Sequence, residues 1–361
     1  MSIKTKWIIA TTVIILIILG FIFYLNNKST VDGNIRIGAI FILSGDAAGW
    51  GENAKKGFDL AVKDFKETYD IGVETIIEDS QGDPKTAISV FQKLITLDKV
   101  DGVVGPLFQA EVAAVASNIA SANIPVITPS YAPIINRDNP RNPLMVWMDP
   151  SLEAYKIAEY VFDQGVRTVA VFGTHDSWEN EVSDSFASRF KELGGIISTK
   201  ELTQTDDTDV RVPIIKIINT KPEAVFLGTY YQFIHATKVL NEFGYEGKLY
   251  SIEVDSYLAT EAKDYIEGLE FITPESYSNN FIEKFEREYG IKPGIPAGQA
   301  YDATILLLDL LRQEGPREKI IKTMENLESY EGVSGAIEWT KDNRTILPTA
   351  IFKIQDGEFI K

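Results

Sequence analysis

The sequence predicts an α/β protein of two doubly wound domains behind an apolar N-terminal segment. Three observations lead there. The chain has 361 residues, 45% of them apolar, more than one compact core organises. Strand-like and helix-like stretches alternate along its length, the mark of α/β layering. Residues 7–25 follow a different pattern, charge-free and mostly apolar.

The elements follow in order. Asn34–Ile42 is a β-rich apolar run ending at Ser44-Gly45, hence a first strand. Asn53–Phe65 carries Ala54, Gly57, Phe58, Ala61, Val62 and Phe65 at 3.6-residue spacing, hence an amphipathic helix. Val73–Ile77 is a second strand, with Glu78-Asp79 at its carboxyl end. Asp83-Pro84 is a helix cap followed by proline at the first helical position, and a helix through Val90 and Leu94 follows. Val100–Gly105 is a third strand, Ala110–Ala122 a helix and Ile124–Thr128 a fourth strand. The second half repeats the theme. Helices are expected at Leu152–Phe162, Asn180–Leu193, around Ile214 and Ile218 after a cap at Asp209, and at Phe233–Phe243. Strands are expected at Thr168–Phe172, Ile196–Glu201, Ala224–Leu227 and Lys248–Ile252. Helices near Asn279–Tyr289, Ala297–Arg312 and Pro316–Asn326 come next. Ile337–Trp339 and Thr349–Ile354 close the chain as strands, with Asp356-Gly357 as a turn.

The formal charge is −17, and residues 1–30 contribute three lysines and no acid, so the remainder is more acidic still. Phosphate backbones would repel such a surface, which argues against a nucleic-acid partner. The chain has no cysteine, so disulfides, thiolate chemistry and a lipid-bearing cysteine are excluded.

Trp7–Leu25 is an uninterrupted, charge-free run of 19 residues. As a helix it would reach ~28 Å, close to the hydrocarbon thickness of a bilayer. Lys4 and Lys6 precede it and Trp7 and Tyr24 flank it, favouring a cytoplasmic N-terminus with the bulk outside. A cleaved signal peptide is the alternative. The run is longer than the usual apolar region and lacks a small-residue cleavage site, which favours an uncleaved anchor. Both readings export the chain from about Val31.

In open parallel sheets ligands bind beyond the carboxyl ends of the strands. The loops that matter are therefore Ser44–Gly51, Asp79–Asp83, Gly105–Glu111, Pro129–Pro133, Gly173–Glu179, Gly228–Tyr231 and Glu253–Ser256. The only histidines are His175 and His235. His175-Asp176-Ser177 are adjacent, a poor arrangement for a nucleophile relay. The sequence has no Gly-x-Ser-x-Gly, no His-Glu-x-x-His and no P-loop. Catalytic residues, metal and cofactor are accordingly not expected. Gly49-Trp50-Gly51-Glu52-Asn53-Ala54 matches Gly-x-Gly-x-x-Ala. It starts too far after its strand, and Trp50 is too bulky, for a pyrophosphate turn. What remains is aromatic and polar: Trp50, Tyr131, Trp178, Tyr230, Tyr231, Tyr301, Glu253 and Asp255, the usual lining of a small-ligand pocket and equally common material for a core.

These residues carry a resemblance. Residues 34–361 resemble the branched-chain amino-acid binding protein family, the type I periplasmic binding proteins that serve ABC transporters. The matching stretches run from Ile37 to Gly51, then Gly57–Ala61, Glu78–Pro84, Val103–Pro106, Ile124–Ser130, Lys221–Val225 and Gly332–Ile337. The resemblance implies two similar lobes joined by three crossings, near Met148, Phe271 and Glu338. The expected division is an anchor at 1–33, one lobe at 34–148 and 272–337, and another at 149–271 and 338–361. It also implies a small-molecule ligand, an amino acid or analogue, held in the cleft and delivered to a membrane permease. By matching positions, Trp50 would pack on the ligand side chain, and Ser130 and Tyr131 would hold its carboxylate. Trp178 and Tyr230 would line the cleft, Glu253 would pair with its ammonium, and Tyr301 is a further cleft candidate. One departure matters. The family's serine after the third strand is missing from Gly105-Pro106-Leu107-Phe108-Gln109-Ala110-Glu111. Gln109 offers a hydrogen bond there, but Glu111 opposes an anion. A sensor module working with a separate signalling partner is the alternative function, and an enzyme on the same scaffold a third.

Overall fold

The computed structural model describes residues 34–45, 47–132, 142–275, 277–341 and 344–361. The expected anchor, Trp7–Leu25, lies outside them. Among the described residues no helix is long and apolar enough to cross a membrane.

The first sheet is parallel, in the order β2-β1-β3-β4-β5. Its strands are β1 (Ile35–Phe41), β2 (Val73–Asp79), β3 (Gly102–Val104), β4 (Val126–Thr128) and β5 (Leu144–Met145). Helices α1 (Ala48–Tyr69), α2 (Pro84–Thr96) and α3 (Gln109–Ala122) connect them. Apolar clusters form on both faces, one holding Phe41, Phe58 and Leu307, the other Ile40, Phe91 and Leu94. This two-sided burial explains why the strands are continuous apolar runs rather than alternating ones.

The second sheet comprises β6 (Thr168–Thr174), β7 (Ile196–Thr203), β8 (Ala224–Leu227), β9 (Lys248–Ile252), β10 (Glu270–Pro274), β14 (Thr349–Gln355) and β15 (Glu358–Ile360). The order is β15-β14-β10-β9-β8-β6-β7, parallel except for the β14 and β15 pairings. Helices α4 (Pro150–Asp163), α5 (Ser177–Glu192), α6 (Arg211–Asn219), α7 (Phe233–Glu242) and α8 (Ser256–Glu261) cover it. Phe186 stacks on Phe226 at 3.9 Å in its core.

After β10 come α9 (Asn279–Tyr289), α10 (Ala297–Glu314) and α11 (Arg317–Glu325), then a small antiparallel sheet of β11 (Ser329–Gly332), β12 (Gly335–Trp339) and β13 (Thr345–Ile346). Helix α10 packs along α1, with the Ala297 carbonyl oxygen 1.9 Å from where a β-carbon on Gly57 would lie. That approach is closed to any residue but glycine. The second sheet continues to Pro274, past the crossing expected near Phe271. Trp339 and Leu347 are buried in the first core, past the crossing expected near Glu338. The Trp339 indole N–H donates to the Met145 carbonyl at 2.6 Å, and the Glu275 N–H to the Pro348 carbonyl at 2.7 Å, tying the crossing strands together.

Candidate functional site

A cavity of about 300 Å³ opens where the carboxyl ends of both sheets converge. Each wall residue follows a parallel strand, as open α/β sheets dictate. Trp50 stands in the first turn of α1 after β1, Gln109 opens α3 after β3, and Ser130 and Tyr131 follow β4. From the other sheet, Trp178 follows β6, Tyr230 follows β8 and Glu253 follows β9. Seven of the eight residues expected from the sequence thus line one cavity. Tyr301 does not. Helix α10 turns it onto Phe281, 5.2 Å between ring centroids, and its hydroxyl donates to Asp64 at 2.7 Å.

Helix α1 starts at Ala48, earlier than the expected Asn53, so the glycines around Trp50 are helical rather than loop residues. A β-carbon on Gly51 would lie 1.7 Å from the Ile42 carbonyl oxygen. Glycine here lets the helix start against the end of β1, which places Trp50 at the cavity. Asp176 caps α5 by accepting the N–H groups of Trp178 and Glu179 at 2.9 and 3.2 Å. His175 is exposed and is not part of the wall.

Trp147 and, beneath the cavity, Glu153 fall outside the loops the sequence singles out, whereas Phe108, Asp176 and Glu179 lie in those loops without being picked as candidates; all but Glu153 line the cavity. Trp147 sits on the crossing between β5 and α4. Its ring lies 5.4 Å from that of Trp50, which meets Tyr230 edge-on at 6.0 Å. Tyr231 continues the row, 6.4 Å from both Tyr230 and Phe108. The result is an aromatic wall drawn from both lobes. The Tyr131 hydroxyl donates to Asp149 at 2.9 Å, and the Tyr230 hydroxyl to Asp255 at 3.2 Å.

Glu253 is the acid at the centre. It is 5% exposed, and its backbone holds a left-handed φ of 51°, uncommon for a residue other than glycine. The Trp147 indole N–H donates to its Oε1 at 2.6 Å. Burial pushes its pKa up to about 7, against hydrogen bonds from Glu153 and Trp147 that lower it. Glu153, on the first turn of α4, is fully buried. Burial and then the Glu253 charge raise its pKa well above the usual carboxylate range. Two buried carboxylates this close disfavour each other's ionisation. Glu181, half-buried on α5, is also pushed up to about 7 by burial.

Three buried side-chain atoms of this wall lack a partner among the described residues: Trp50 Nε1, Gln109 Oε1 and Glu179 Oε2. Buried polar atoms are normally satisfied, so these three stand out in the wall.

Known proteins share this architecture. The periplasmic binding protein family matches residues 34–358. The Leu/Ile/Val-binding protein BraC3 of Rhizobium johnstonii is 26% identical over 204 residues, a span of 55% of either chain. The Leu/Ile/Val-binding protein homolog 3 of Brucella melitensis is 24% identical over 369 aligned residues, covering 92% of this chain and 94% of that one. Among solved structures, the substrate-binding protein LivJ of Streptococcus pneumoniae, in complex with isoleucine, superposes with a TM-score of 0.81 at 22% identity. That superposition covers 91% of this chain and 98% of the other. This chain belongs to the periplasmic binding protein family, with the α/β fold of its type I members.

Proposed function

We propose that this protein is an extracytoplasmic solute-binding protein that closes two lobes around a small amine-bearing, amino-acid-like molecule and delivers it to an ABC importer. One observation carries the reading: a buried carboxylate, Glu253, held at a cavity walled by aromatic rings from both sheets. A buried carboxylate calls for a cationic partner, and aromatic faces attract the same charge. The cavity volume of about 300 Å³ suits a small solute. We assign Trp50, Gln109, Ser130, Tyr131, Trp178, Tyr230 and Glu253 to ligand contact, and add Trp147. The role is binding rather than catalysis. Residues 7–25 serve as the membrane anchor, with the lobes on the outer side.

A thermal-shift panel of amino acids, amides, polyamines and short carboxylic acids tests the reading. A ligand that binds only the folded state raises the melting temperature by mass action. At least one compound is expected to do so and to be recovered unchanged. A blank across all four classes refutes solute binding, and consumption of the ligand refutes the assignment as a pure binder.

A further inference from the structure

The polar groups around the cavity are unequal in sign. Among the described residues its lining holds three carboxylates, Asp176, Glu179 and Glu253, and no lysine, arginine or histidine. Arg344, which comes within 3.7 Å of Asp149, is not part of the lining.

Backbone N–H groups could still hold an anion, as helix starts and turns often do. Two such sets at wall residues are occupied by the chain's own carboxylates. Just ahead of α3, Glu111 also accepts the Phe108 N–H at 3.0 Å. At the start of α5, Asp176 accepts the Trp178 and Glu179 N–H groups. After β8, Glu179 Oε1 accepts the N–H groups of Tyr230 and Tyr231 at 2.7 and 3.0 Å. Glu111 and Glu179 are both fully buried, so these are internal, dry pairings.

One unsatisfied atom adds to this: Gln109 Oε1 is a buried acceptor without a partner among the described residues. Ser130, Thr205 and Tyr231 also line the space, and a hydroxyl suits a neutral oxygen on the ligand.

We propose that the cleft selects an organic cation bearing N–H groups and no carboxylate: a small amine, or the amide or alcohol counterpart of an amino acid. This rests on the cavity being the solute site, as argued above. A ligand carboxylate would be buried among carboxylates, with the N–H groups at the start of α5 and after β8 already taken. An ammonium would meet Glu253, the Gln109 side chain and the faces of Trp50 and Trp147.

Isothermal calorimetry at pH 8 on compounds differing at the carboxyl group tests the selection. The sets are leucine, leucinamide and 3-methylbutylamine; phenylalanine and 2-phenylethylamine; benzoate and benzylamine. In any set that binds, the carboxylate-free cation is expected to bind at least about 100-fold tighter than its acid, the scale of an uncompensated buried charge. An acid that binds as tightly as its partner overturns the selection while leaving solute binding intact. Silence across every set overturns the selection. If the wider thermal panel is also blank, the cavity's assignment as a solute site falls with it.

Discussion

Replacing Glu253 with glutamine separates charge from shape at the centre of the cavity. The amide keeps nearly the same volume and an oxygen for the Trp147 indole N–H, which now donates to Oε1 at 2.6 Å. What disappears is the negative charge opposite the ligand's ammonium. Truncating one partner of a buried, hydrogen-bonded charge pair costs on the order of 2–5 kcal/mol. Affinity for the amine ligand should therefore fall by roughly 30-fold or more, at about 1.4 kcal/mol per tenfold. The ligand-free protein should respond in the opposite direction. Burial raises the Glu253 pKa from 4.5 to about 7, so the fold favours the protonated acid. Its stabilisation is complete below 4.5 and is lost as the pH rises through 7, a loss of about 3 kcal/mol by pH 8. Glutamine carries no such penalty, and the free variant should melt at or above the wild-type temperature at pH 8. Calorimetric titration with the tightest amine and thermal melts at pH 5.5 and 8 read both effects. An affinity within about threefold of wild type would remove Glu253 from the site. A variant that melts lower at pH 8 would show that its charge stabilises the fold, contrary to the burial argument.

Two further outcomes are expected. Glu253, Glu181 and Asp302 are pushed up by burial to about 7, 7 and 6, whereas hydrogen bonds from the Arg167 and Thr168 N–H groups hold Glu223 below its usual value. Melting of the free protein should therefore decline from pH 5.5 to 8 as the first three ionise, and Glu223 should lose its contribution only below about pH 4; a melting temperature that rises across that upper window would contradict the burial of these carboxylates. Gly57→Ala would place a β-carbon 1.9 Å from the Ala297 carbonyl oxygen and should destabilise the first lobe by about 3 kcal/mol, read as a lower urea midpoint; an unchanged midpoint would refute the close packing of α1 on α10.

The layered fold was legible because strands buried on both faces stand out as apolar runs and caps such as Asp83-Pro84 punctuate them. In the structure Asp83 does accept the Thr86 N–H, at 2.7 Å. The second and third crossings were harder. β13 has only two residues, and Trp339 is tied to Met145 across a long sequence separation, so no local pattern marks the join. Wall residues that follow a strand directly, such as Tyr230 and Glu253, were found by the strand-end rule. Trp147 escaped it because its strand, β5, has only two residues and leaves no pattern in the sequence. Glu153 escaped because an acid in a first helical turn reads as a complement to the helix dipole, and only the packing of α4 shows that it is buried against Glu253. Tyr301 misled for the opposite reason: an aromatic on an amphipathic helix can face the core, and this one does.

The most direct measurement is a crystal structure with the tightest compound from the matched sets. The expected result is a ligand nitrogen about 3 Å from a Glu253 oxygen, within hydrogen-bond range, stacked against Trp50 and Trp147, with no carboxylate in the cavity. A ligand seated elsewhere, or a carboxylate held at the start of α3 in place of Glu111, would contradict it.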